Sequence, residues 1–460
     1  MNREPDFLQN LQTELSNGRL WFDRAIVLAY AAACGLLVVA FTLLSDWAFQ
    51  VFELGYGYNR WLVLLWTPLL TAFIVWATRR YAAGAAGSGI PQVMAALDPA
   101  VTQATRSQFV SLKLTLGKIG LAATGLLAGL SIGREGPSVQ VAAGVMQHAR
   151  RWLRPDSGMS THALLVAGGA AGIAAAFNAP LAGVVFAIEE LSRKLESRNS
   201  GLIMTAIVLS GLIGASFFGN VTYFGVIRVP PLGWRALMPA LLATLLCGLL
   251  GGLFSRLLAM SLTGSPERFN DWRKAYPVRF AACGGLAIAV IGLASGGTTF
   301  GAGSAAVKQM LAGETDLPSL YVLLKFVATW LAAWCGVPGG IFAPSLSIGA
   351  GIGHDVALLT GTDIAPALIA MGMAAFLAAV TQAPLTAFII VMEMVDGRAM
   401  VLSLMMAAML ANLVSRMLSR PLYETLSAHM VGQLHLLATV SAPLPTASVE
   451  SENPGPHRAR

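Results

Sequence analysis

The chain has 460 residues, of which 56% are hydrophobic and only 12% charged, a composition that excludes a soluble globular domain and marks a polytopic membrane protein. The formal net charge of +7 sits mainly in short loops, and with no soluble region to carry it nucleic-acid binding is excluded. The four cysteines lie in apolar runs without CxxC spacing and the six histidines show no ligand spacing. Neither a disulfide framework nor a metal site is expected, and no cofactor is implied.

In chain order, residues 1–24 read as an amphipathic helix at a membrane face, with Phe7, Leu8, Leu11, Leu15 and Leu20 spread among polar residues. Met1 to Asn17 is polar and mixed in charge, so no cleavable signal peptide is expected. Ala25 to Ser45 and Trp61 to Thr78 are uncharged and long enough to cross the roughly 30 Å hydrocarbon core. The small-residue loop Ala82 to Gln92 ends at Pro91, in position to begin a helix. A helix from about Ser107 is expected to carry Lys113, Lys118 and a packing stripe of Gly125, Gly129 and Gly133.

Gly133-Arg134-Glu135-Gly136-Pro137 then interrupts a long apolar stretch. An ionisable side chain at membrane depth is expensive and normally faces a bundle interior or a water-filled path, which makes Glu135 a functional candidate. Pro137 fits the first turn of a helix and Gly133 and Gly136 permit close backbone approach, so a helix N-terminus with free N–H groups should open here as an anion site.

Basic clusters follow at Arg79-Arg80, Arg150 to Arg154 and Arg193 to Arg198, but the many interrupted segments weaken the positive-inside rule here. Ala163 to Phe177 carries a Gly168/Gly172 packing pair, and Asn178-Ala179-Pro180-Leu181 restarts a helix ending in Glu189-Glu190-Leu191. The stretch Gly201 to Ile227 leads to Pro230-Pro231, read as the break between halves.

The second half repeats the first. Lys118/Lys325, Pro137/Pro344 and Ser138/Ser345 share an offset of 207; Pro180/Pro384 and Glu189/Glu393 share 204; Gly87/Gly301 and Gly89/Gly303 share 214. Two such halves, each with Gly- and Pro-interrupted segments, point to a transport site at the repeat interface. The expected organisation is an amphipathic helix over 1–24, membrane repeats over 25–229 and 230–436, and a disordered polar tail over 437–460.

Four motifs together, Gly87-Ser88-Gly89-Ile90-Pro91, Gly133 to Pro137, Gly340-Ile341-Phe342-Ala343-Pro344 and Pro421-Leu422-Tyr423, resemble the signature set of the CLC chloride channels and chloride/proton antiporters, over about residues 20 to 430. The resemblance implies an all-α membrane protein of two inverted-topology repeats of tilted and broken helices. It implies chloride held by Ser88, Tyr423 and the amides of Ile341 and Phe342, with Gly136 and Arg134 beside it. It also implies Glu135 as a gate that competes with chloride and leaves when protonated, and Glu190 as the proton entry point on the inner side. Protons and the lipid bilayer are the further partners, with a homodimer in the bacterial inner (plasma) membrane as the assembly. Only 37 residues follow Tyr423, so the paired CBS domains of many relatives, and nucleotide regulation through them, are not expected.

Gln92 and Met94 replace acidic residues of better-known antiporters, which weakens the expected proton path and leaves a passive channel as the alternative. Fluoride-selective relatives change the serine of this first motif, so the retained Ser88 implies a preference for chloride over fluoride. Glu189 is expected to end a helix at the surface near Arg193 and Lys194, and Glu393 to be a structural carboxylate. Lys113, Lys118, Arg134 and Lys325 either raise local anion concentration or serve packing. An enzyme is not expected: Gly129-Leu130-Ser131-Ile132-Gly133 matches a nucleophile elbow formally, but its serine is read as lying within a helical apolar run.

Overall fold

The computed structural model describes residues 18–155, 157–192, 200–219, 222–227, 233–264, 267–314 and 317–440. The N-terminal segment before Gly18, the Arg193 to Arg198 cluster, the Pro230-Pro231 break and the tail beyond Val440 lie outside the described residues. The rest is helical: α1 (Gly18–Tyr58), α2 (Val63–Tyr81), α3 (Ile90–Leu97), α4 (Gln103–Arg106), α5 (Leu112–Leu127), α6 (Glu135–His148), α7 (Thr161–Ala176), α8 (Pro180–Phe186), α9 (Ser200–Phe218), α10 (Leu237–Thr263), α11 (Glu267–Ala275), α12 (Pro277–Ala294), α13 (Ser304–Leu311), α14 (Tyr321–Trp334), α15 (Phe342–Thr360), α16 (Ala365–Thr381), α17 (Pro384–Met394), α18 (Val401–Arg416) and α19 (Leu422–Val440). A π-helical turn, Ala187–Leu191, continues α8.

Seven of these segments are long and apolar enough to cross a membrane. At about 1.5 Å per residue the 41 residues of α1 extend about 60 Å, twice the hydrocarbon thickness, so this helix must lie steeply tilted or project beyond the core. Residues 18–24, read from sequence as part of a separate amphipathic helix, are continuous with α1, and residues 437–440 belong to α19. Large apolar side chains on α1, α2, α9, α10 and α18, such as Leu36, Leu69, Leu212, Leu249 and Leu413, stand exposed on the outer surface.

The interior is built from short helices. All of α16 from Ala367 onward and all of α7 from Ala163 onward are buried. A helix apolar all round can be satisfied only inside other protein or lipid. Gly168 and Gly172 press against α6 at Ala142 and Ser138, and Gly349 and Gly372 press against each other between α15 and α16, where a Cβ on either would strike the facing backbone. The expected Gly125/Gly129/Gly133 stripe is not one helix face. α5 ends at Leu127, Gly129 takes a positive φ of 74°, and Gly133 lies beyond the helix, because the backbone must turn before α6 can begin. The same helix starts at Leu112, capped by Ser111, rather than at Ser107. Ser131 is therefore in a buried loop, hydrogen bonded to Thr329 at 2.8 Å, and not in a helical run.

The two repeats meet about a local two-fold. Gly133 and Gly340 exchange both backbone hydrogen bonds at 2.7 Å, forming an isolated antiparallel bridge. Lys118 donates to the carbonyls of Ala85 and Gly87 (2.8 and 2.6 Å), and its mate Lys325 donates to those of Thr299 and Gly301 (2.9 and 2.7 Å). Glu189 accepts from the amides of Leu385 and Thr386, while Glu393 accepts from those of Leu181 and Ala182. In these three sets each acceptor and donor of one half has its counterpart at the expected offset in the other.

Candidate functional site

Three half-helices converge at the bridge between the repeats. α6 and α15 each begin two residues after their bridging glycine, so both first turns, with N–H groups that lack intrahelical partners, open at one point. Gly136 and Gly340 bring these ends into backbone contact: a Cβ on Gly340 would lie 3.0 Å from the Gly136 nitrogen and 3.1 Å from Pro137 Cδ. The loop before α3 supplies the third component. Gly87 and Gly89 adopt positive φ (74° and 108°), which swings Ser88 onto Gly136, where a Cβ would strike Ser88 Oγ.

Around this point the structure gathers Ser88, Gly136, Ile341, Phe342 and Tyr423. Tyr423 is buried in the first turn of α19, its ring stacked on that of Phe342 at 6.1 Å between centroids and 9° between planes. The hydroxyls of Ser88 and Tyr423 face one another and are both withdrawn from solvent, yet neither completes a hydrogen bond. Two buried hydroxyl donors beside two helix N-termini form a cradle for an anion that needs dipoles more than a counter-charge.

Glu135 is the first residue of α6 and is buried. Its carboxylate turns back over Gly133 and lies against the Ala343 amide in the first turn of α15, with Oε2 lacking a hydrogen-bond partner. A carboxylate thus sits where the α15 dipole favours negative charge. Arg134 points elsewhere: its guanidinium donates to the Thr42 carbonyl (3.2 Å) and forms an ion pair with Asp46 on α1.

Two cavities approach from opposite sides and share no lining residue. One, of about 450 Å³, reaches Ser88, Ile341 and Tyr423 and carries Arg79, Arg273 and Lys274, with no carboxylate on its wall among the described residues. The other, of about 320 Å³, reaches Arg134 and Glu135 and is lined by Asp46, Glu53 and Tyr223. The Gly133–Gly340 bridge adjoins both: Gly339 and Ile341 line the first cavity, Arg134 and Glu135 the second.

Glu190 lies apart, half-buried in the π-helical turn and close enough to Tyr423 for their charges to interact. Its neighbour Glu189 is not a surface terminator but caps α17 across the repeat interface, and Glu393 is its structural mate. Sequence reading missed the carbonyl clamps of Lys118 and Lys325, which keep both ammoniums inside the protein and out of the cavities. It also missed Gln92, whose Oε1 accepts from the Gly89 amide (2.9 Å) and whose amide donates to the Ala86 carbonyl, fixing the Ser88 loop. The Lys118/Lys325 spacing carried the signal for the first; a Gln three residues after the Gly89 N-cap, able to accept from the cap amide, carried it for the second.

A multi-pass helical protein with an inverted repeat, half-helix termini meeting at the repeat interface and a cavity on each side belongs to the class of membrane transport proteins. The family model described as voltage gated chloride channel matches residues 70–416, and the chain belongs to that family. It is 31% identical over 393 residues to the H(+)/Cl(-) exchange transporter ClcA of Vibrio parahaemolyticus, covering 81% of each chain, and 29% identical over 424 residues to that of Citrobacter koseri, covering 90% of this chain and 85% of the relative. Its fold is similar to that of a slow cyanobacterial Cl-/H+ antiporter, with a TM-score of 0.74 at 23% identity over 90% of this chain and 99% of the other.

Proposed function

We propose that the protein exchanges chloride for protons across a bacterial inner membrane, as a homodimer with one anion path in each subunit. The observation that carries this reading is the Glu135 carboxylate seated at the α15 N-terminus, between the two cavities. A carboxylate and a chloride ion compete for the same amides, so chloride can occupy that position only when Glu135 is protonated and swings away. Each swing then ties one proton to the movement of anion. Chloride is held by Ser88, Tyr423 and the first-turn amides of α15, with Gly136 allowing the approach, while Arg134, tied to Asp46, lends positive potential to the second cavity. Glu190 passes protons on the other side.

The names of the ClcA relatives support exchange. The basic residues Arg79, Arg80 and Arg154 gather on one face, because Arg154 pairs with Asp23 near the start of α1 and α2 returns the chain to that face at Arg79. Because α1 and α2 are uninterrupted spans, the positive-inside rule weakened elsewhere applies to this hairpin and makes that face cytoplasmic, so the cavity reaching Ser88 is the inner one.

The test is flux in liposomes: impose a chloride gradient, clamp the voltage with a potassium ionophore and follow external pH. Uphill proton movement driven by chloride, abolished in Glu190→Ala, is the expected result. In Glu135→Gln chloride should still pass while proton transport is lost. Chloride flux without proton movement in the unaltered protein would instead identify a passive channel, with Gln92 committed to holding its loop.

A further inference from the structure

A third cavity of about 490 Å³ lies on the basic face, away from the anion path, between the α4–α5 connection, the last turn of α6 and the start of α7. Arg106, Lys113, His148, Arg150 and Arg151 line it, and among the described residues no carboxylate does. The ion pairs among the described residues, such as Arg154 with Asp23 at 2.6 Å on the same loop, include none of these five. Backbone carbonyls hold the guanidiniums instead: Arg106 donates to Ala96 and Val101 (3.0 and 3.2 Å), and Arg150 to Arg154 and Met159 (3.4 and 3.2 Å). Carbonyls fix position without neutralising charge. Two helix N-termini, the Ser111–Lys113 turn of α5 and Thr161 of α7, open on the same space and add to its positive potential.

We infer that this cavity binds the phosphate group of an anionic phospholipid. Its chemistry asks for a phosphate, since several guanidinium and ammonium donors converge where none is compensated. Its surroundings favour a lipid as the source. Leu112 and Leu116 of α5 stand 40% and 71% exposed along one side of the mouth, and Trp152 is 64% exposed on the adjoining loop, where indole rings anchor at the membrane interface. These give acyl chains a surface that a free phosphate would leave unused. Gln147 Oε1, withdrawn from solvent on the cavity wall and without a partner, offers an acceptor to a hydroxylated headgroup such as glycerol. The inference is independent of the transported ion.

The test is native mass spectrometry of the full chain released from nanodiscs that mix phosphatidylglycerol with phosphatidylcholine. Retention of one phosphatidylglycerol per chain is expected. Lys113→Gln with Arg151→Gln, two exposed cations that hold no structural bond, should weaken it roughly thirtyfold, at about one kcal/mol for each charge removed. The charge-conserving pair Lys113→Arg with Arg151→Lys should restore retention. Removal of two cations from the opposite face, Arg60→Gln with Arg235→Gln, should leave it intact. Equal retention of phosphatidylcholine by the unaltered protein, or undiminished phosphatidylglycerol in the double Gln variant, would overturn the site. Displacement of the lipid by millimolar inorganic phosphate, with equal thermal protection by phosphate alone, would overturn the lipid source and leave a free-phosphate site.

Discussion

Gly136 is where the anion cradle has least room. A Cβ there would collide with Ser88 Oγ, approach the Ser88 carbonyl at 2.9 Å and lie 3.3 Å from the Gly340 Cα, so neither hydroxyl nor backbone can give way without moving a half-helix. Gly136→Ala should therefore cut chloride flux at least tenfold while the protein still folds, checked by liposome flux beside thermal unfolding in detergent. Near-normal flux would remove Gly136 from the path. At Tyr423 the ring and the hydroxyl can be separated. Tyr423→Phe keeps the stacking on Phe342 and removes only an unpartnered donor, so it should weaken chloride binding roughly ten- to a hundredfold, as expected for one hydrogen bond to an anion. Tyr423→Ala also opens a cavity and should weaken it further; unchanged affinity by calorimetry in both would place the anion elsewhere. Ser88 and Tyr423 entered the reading through the family resemblance of their motifs, whereas the Gly- and Pro-flanked Glu135 inside an apolar run pointed to a helix N-terminus without it. The carbonyl clamps were not legible, since a lysine's partners there are backbone atoms that no side chain announces.

At the scale of elements, the half-helices could be read from their prolines, but where the chain turns between them could not. The Gly125, Gly129, Gly133 spacing fits a helix face equally well as a helix end, and only the tertiary need to bring Gly133 to Gly340 decides for the end. The π-helical turn at Ala187–Leu191 was likewise invisible, because it differs from an α-turn by the placing of one residue. It has a consequence for Glu190. Glu189 is pinned to α17 by two charge-assisted bonds of 3.0 and 2.6 Å, which directs it to the other repeat and leaves Glu190 on a separate face of the turn. Glu189→Gln should cost about 2 kcal/mol by weakening these bonds. Glu393→Gln should cost a similar amount, since it makes the two-fold-related pair at 3.2 and 2.7 Å. The two should differ in function: only Glu189→Gln disturbs the turn that carries Glu190, so only it should lower the number of protons moved per chloride. Equal loss of coupling in both variants would mean that the caps act through stability alone.

Over the whole molecule, the near-constant offsets made the two-fold readable before any coordinate, whereas the places at which the halves differ carry the chemistry. Glu135 has Phe342 as its mate, Arg134 has Ile341, and Glu190 has Met394. The lysines are instead conserved between halves in kind and in geometry, but the loops they clamp face opposite sides. Lys118 holds the Ala85–Gly87 carbonyls beneath Ser88 on the first cavity, and Lys325 holds the Thr299–Gly301 carbonyls beneath the lip of the second. Replacement by methionine keeps the length of the side chain and leaves two buried carbonyls without their donor, at a cost of about 2 to 4 kcal/mol in either half. Stability should thus fall alike in both. Chloride affinity should not: Lys118→Met frees the Ser88 loop and should weaken central binding about tenfold, while Lys325→Met should leave equilibrium affinity near that of the unaltered protein and slow flux by loosening the lip that faces Arg134 and Glu135. Calorimetry in detergent and flux in liposomes distinguish the two. A symmetric loss of affinity would show that both clamps serve the fold equally and that the Ser88 loop needs no lysine to hold its place.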